Sequence, residues 1–74
     1  MRYYSTQRPV CPGTYPKPYA GNPAWSGIRI SEIHNSDRKE FVSEIGREAW
    51  GWIEYTGKIP EEDAREYELV PAVN

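Results

Sequence analysis

The stretch YSTQRPVCPGTYPKPYAGNP, residues 4–23, holds five of the chain's seven prolines and two of its six glycines. Each proline holds φ near about −65° and removes a backbone donor, so neither a helix nor a sheet interior passes through this segment. What it can form is a series of polyproline-like turns over residues 7–25, wrapped on a surface and bent at Gly13 and Gly21. Because proline also restricts the unfolded chain, such a wrap costs less entropy to order than a Gly/Ser loop of equal length.

A wrap needs something to cover. A chain of 74 residues makes one small domain, residues 1–74, that buries only roughly 60% of its unfolded surface. Aliphatic residues are few, but aromatic ones reach 14%, with three Trp and six Tyr. The core is therefore expected to rest on a few large rings, and this aromatic content argues against disorder.

The remaining elements follow from periodicity. Residues 2–6, RYYST, read as a sheet-edge strand, and Ile28 and Ile30 within residues 26–35 mark another. Asn35 or Ser36 can cap a helix, and Phe41, Val42, Ile45 and Ala49 recur at helical spacing, which predicts a main helix over 36–49 packed on one face of the sheet. Gly46 then weakens that helix, and Glu40, Glu44 and Glu48 repel along it. From Trp50 the period switches to two, predicting a strand over 50–58. Pro60 followed by Glu61, Glu62 and Asp63 predicts a short helix over about 60–67, and ELVP a last strand. The expected class is α+β: three to four short strands, Phe41, Ile45, Ile30, Ile53 and one or two tryptophans in the core, and the proline-rich wrap.

The net charge of −2 divides unevenly. Residues 1–31 carry Arg2, Arg8, Lys17 and Arg29 and no acid; the rest carry eleven acids against five bases. Either the basic arm folds onto the acidic part or it is left for an anionic partner. No apolar run approaches a membrane span, the amino end lacks the order of a secretory signal, and Cys11 is the single cysteine, so the expected location is cytoplasmic.

Chemistry-bearing motifs are sparse. One Cys and one His exclude a zinc site built from those ligands in one chain, and no phosphate loop, dinucleotide fingerprint or nucleophile elbow is present. No cofactor is expected. Trp50 and Trp52 share a face of an extended segment and serve either as a stacking platform or as core. The consecutive acids 61–63 read as a solvated helix turn. Cys11 lies in the basic loop near Arg8, either as a reactive thiol or as an incidental one.

The phrases YSTQRPVCPGTYPKP, EIHN, EIGREAWGWIEY and EEDAREYELV resemble small accessory proteins of bacterial mobile elements, of the large polyvalent protein-associated domain type. That resemblance implies a non-catalytic accessory or interaction role and transfers no catalytic residue.

Three functional readings follow. The leading one is a non-catalytic protein-interaction module whose arm presents Arg8, Tyr15, Lys17, Tyr19 and Trp25 to a protein partner. The alternative is single-stranded nucleic-acid binding through Arg2, Tyr3, Tyr4, Arg8, Lys17 and Arg29, although four cations are a thin footprint and the isoelectric point near 5.3 is low for such binders. The third is a small enzyme or enzyme inhibitor using His34. An exposed sheet edge would also admit a homodimer.

Overall fold

The computed structural model describes residues 1–19 and 21–72; position 20 of the wrap and the last two positions of the domain lie outside the described residues. The described residues form a four-stranded antiparallel sheet with one short α-helix, a mixed α+β fold. In chain order the elements are β1 (Arg2–Ser5), a 3₁₀ turn (Pro23–Trp25), β2 (Ile30–Val42), β3 (Arg47–Tyr55), α1 (Glu61–Glu66) and β4 (Leu69–Pro71). Across the sheet the order is β2-β3-β1-β4, which leaves β2 and β4 as edges.

Alternation along the strands separates two faces. Tyr3 stands opposite Ile53 and Ile53 opposite Ile33, forming one row on the core face. The core is aromatic at its centre. The Tyr55 ring meets Tyr3 edge-on at 5.7 Å between centroids and Trp25 at 5.8 Å. Val10, Tyr15, Ile59, Ala64 and Leu69 close around them, and Ile53 has no exposed surface. Polar atoms drawn into this core are paired: Tyr55 Oη donates to the Pro16 carbonyl (2.7 Å), Trp25 Nε1 to Asp63 Oδ2 (2.9 Å), and Tyr3 Oη accepts from the Ile59 amide (3.1 Å). These bonds tie the arm and the start of α1 to the sheet. Unpaired, such groups would each cost about 1–3 kcal/mol.

One expected element is replaced. Residues 36–49 form no helix; they are the far half of a β2–β3 hairpin in which Glu40 faces Ala49, Phe41 faces Glu48 and Val42 faces Arg47. The four-residue loop Ser43–Gly46 closes through Ile45 and Gly46 amides on the Val42 carbonyl, with Gly46 at φ +68°. A left-handed glycine serves a hairpin loop and breaks a helix, and no neighbour approaches its open side, so its role is conformational and not close packing. The helical spacing of Phe41, Val42, Ile45 and Ala49 lost because an isolated helix of this length is marginal, whereas pairing with a strand already docked in the core supplies cooperative support. Phe41, expected in the core, is 67% exposed. Ile45 and Ile30 are half-buried, Ile53 and Trp25 are buried, and the face expected beneath a long helix is covered by the arm, Ile59 and α1.

The hairpin is also irregular. Between the pairs Asn35–Gly51 and Glu40–Ala49, β2 places four residues, Ser36–Lys39, against the single Trp50 of β3. Such an insertion bends a strand sharply. At the bend the backbones almost touch: a Cβ on Gly51 would lie 2.2 Å from the His34 carbonyl oxygen.

Two substitutions check this packing by chemical denaturation. Trp25→Ala is expected to lower stability by about 3–5 kcal/mol, a large share of the roughly 4–11 kcal/mol typical of a domain this size. Gly51→Ala, which forces two backbones apart, is expected to cost at least about 1–3 kcal/mol; an unchanged denaturation midpoint in either would contradict the described packing.

Candidate functional site

The second face of the sheet is polar and aromatic. Arg2 and Tyr4 of β1, Trp52 and Glu54 of β3 and His34 of β2 share it. The Arg2 guanidinium lies 3.7 Å from the centroid of the Trp52 ring, and the His34 ring stacks on Trp52 at 5.5 Å with 23° between planes. Arg2 Nε also donates to Glu54 Oε1 at 3.0 Å, and the amino group of Met1 lies 3.0 Å from Glu54 Oε2. That amine, together with Arg2, holds the Glu54 carboxyl below the usual carboxylate range despite some opposing desolvation.

The bent hairpin curls over this face. Tyr4 Oη donates to Glu44 Oε1 in the hairpin loop at 2.6 Å, although the two residues are separated by β3. Beneath the curl lies a concavity of about 180 Å³ lined in part by Tyr4, His34, Phe41, Val42 and Trp52. Tyr4 is consequently buried, and desolvation, reinforced by the Glu44 carboxylate, raises its phenol pKa. Trp50 is half-buried, and its indole nitrogen is enclosed without a hydrogen-bond partner among the described residues.

His34 has acquired a neighbour. Its Nε2 is 3.3 Å from Ser36 Oγ, which itself donates to Glu40 Oε1 at 3.4 Å. The order of this chain matters. In a nucleophilic triad the imidazole stands between hydroxyl and carboxylate, so that the base removes the hydroxyl proton. Here the hydroxyl stands in the middle, between imidazole and carboxylate, and the direction of its bond to His34 is set by the imidazole tautomer.

The arm residues separate into two groups. Tyr15 and Trp25 are buried in the core with Tyr3, and Tyr4 is buried on the opposite face. Arg8 pairs with Glu68, and Arg2 with Glu54. Lys17 and Arg29 are exposed, and among the described residues neither makes an ion pair. Tyr19 is 56% exposed; its hydroxyl accepts from Asn22 Nδ2 at 3.0 Å beside an open concavity of about 490 Å³ that Pro18, Asn22 and Pro23 help to line. Of the nucleic-acid set both rings, Tyr3 and Tyr4, are buried, and Lys17 and Arg29 are the cations without an ion pair among the described residues. Cys11 is exposed. Among the described residues no group of three His, Cys, Asp or Glu is placed to hold a metal ion, and no helix is long and apolar enough to cross a membrane.

The sequence reading missed the Arg2–Trp52–His34 stack and the exposure of Phe41. Both depend on strand register, which brings together residues up to fifty positions apart. The available signal was VSEIGR, a four-residue loop ending in glycine between two segments rich in β-formers.

Fold and surface together define a small α+β fold with a closed aromatic core on one side of its sheet and a bent hairpin over the other. The family model for the C-terminal region of Defence against restriction A matches residues 1–74, so the chain belongs to that family. This agrees with the phage or mobile-element accessory character implied by the resemblance, and the match carries no more specific type. No curated protein and no solved structure matches the chain significantly.

The titrations have a definite sign. Glu54 is depressed, so its contribution is present above the ordinary carboxylate range and is lost as pH falls through its folded value. Burial raises the phenols of Tyr55, Tyr3 and Tyr4, so their contributions are full below the ordinary value of 10.0 and are lost above it. Thermal melts across pH should show both limbs, with Glu54→Gln flattening the acid one; an acid limb identical in the variant would contradict the Glu54 assignment.

Proposed function

We propose that this chain is a non-catalytic protein-interaction module that serves defence against restriction by docking a protein partner on the tip of the β2–β3 hairpin. The observation that carries the reading is Phe41, the most exposed of the large hydrophobic residues, set on a hairpin that Tyr4 and Glu44 hold in place. An aromatic side chain on a braced element loses little conformational freedom on binding and is suited to act as an anchor. The family match supports the setting, since its description names defence against restriction. The order of Glu40, Ser36 and His34 supports the non-catalytic part, because the imidazole does not stand between the hydroxyl and the carboxylate as it does in a nucleophilic triad.

A second reading places the partner on the outer side of the arm, favoured by the exposed Tyr19 in its concavity and by the exposed Lys17. The proteins captured by the chain, and the survival of unmodified DNA delivered to a restricting host by the element encoding it, are the two readouts. Phe41→Ser is expected to lose partner capture and protection while keeping its thermal midpoint, and Tyr19→Ser to keep all three. The reverse pattern would move the interface to the arm. Ser36→Ala is expected to leave protection unchanged; its loss would overturn the non-catalytic reading.

A further inference from the structure

The two edges of the sheet are built differently. β4 is three residues long and ends in Pro71, a short edge that carries its own breaker. β2 spans thirteen residues without a proline, and among the described residues β3 is the one other secondary-structure element it touches. Its regular portion, Glu32–Asn35 against Gly51–Glu54, is exposed at every position. The apolar row Tyr3–Ile53–Ile33 runs through the core face to this edge and stops at Ile33, 43% exposed, beside a fully buried Ile53.

We propose that this edge is a self-association surface, on which a second copy of the chain adds its own β2 antiparallel about a twofold axis through Ile33. The register follows from the pleat. If the axis is perpendicular to the sheet, core face must continue into core face, so each residue pairs only with a residue of the same face. Among such registers, centring on Glu32 sets two carboxylates against each other and pairs Ile33 with Ser31. Centring on His34 sets two imidazoles together and pairs Ile33 with Asn35. Centring on Ile33 alone places apolar against apolar and, on the opposite face, Glu32 against His34 twice by symmetry. The apolar row then runs unbroken from Tyr3 of one copy to Tyr3 of the other, across an eight-stranded sheet.

The irregularities at Ser31 and Ser36–Lys39 limit the new ladder to a few residues. The interface is therefore small, below the roughly 1,200 Å² of standard complexes, and its association weak. This surface is distinct from Phe41 and does not rest on the docking of a foreign partner.

Sedimentation equilibrium over the micromolar to millimolar range should show the wild-type mass rising from monomer toward dimer and no further. Ile33→Lys, at a half-exposed rim position where the fold should persist by circular dichroism, is expected to remain monomeric, whereas Ile33→Val should associate. Glu32→Lys should weaken association by roughly tenfold, because the twofold axis repeats each cross-strand pair. Adding His34→Glu should recover it, which a non-specific sticky edge would not do. A wild type that stays monomeric throughout, an Ile33→Lys variant that dimerises normally, or a double variant without recovery would each overturn the proposal.

Discussion

Tyr55 joins parts of the chain that would not otherwise hold together. Its ring contacts Tyr3 on β1 and Trp25 at the end of the arm, and its hydroxyl binds the carbonyl of Pro16 midway along that arm. A four-stranded sheet with one short helix has too little aliphatic surface to close a core alone. By burying a phenol whose only polar atom satisfies the arm's backbone, the fold turns a segment without regular structure into a wall of the core. Tyr55 is 1% exposed, and this burial raises its pKa strongly.

The asymmetry of the sheet follows from that arrangement. One face receives the arm, Ile59 and α1, and is filled. The other carries Arg2, Trp52, His34 and Tyr4, a row in which rings are covered by a guanidinium, an imidazole and the returning hairpin. The hairpin bends to cover Tyr4, while Phe41 on the same hairpin stays 67% exposed. An exposed aromatic residue there is open to a partner.

How much was legible depended on whether an element's signal was local. The prolines excluded regular structure in the arm, Pro60 with its following acids marked a helix that forms as α1, and alternation after Trp50 marked β3. Residues 36–49 misled because their apolar residues fit a helical stripe while the preference of the neighbouring strand for a partner lay elsewhere in the chain. The aromatic arm was ambiguous for a related reason: Tyr15 and Tyr19 are alike in sequence, and only their distance from Tyr55 makes one a core residue and the other a surface one. The same holds for Arg2 and Arg8, whose carboxylate partners Glu54 and Glu68 lie more than fifty residues away.

The sequence by itself determined the reliance on aromatic rings, the proline-restricted course of the arm, the short strands at residues 2–5 and 69–71 and the short helix at residues 61–66. These depend on backbone restrictions and on propensities that act over a few residues. Tertiary structure alone decided that residues 36–49 form a hairpin, that Trp52 lies between Arg2 and His34, that Phe41 faces solvent, and that the apolar row ends at Ile33. Each of these is set by strand register, and register is chosen by the summed burial and pairing of the whole sheet, a quantity no short window of residues contains.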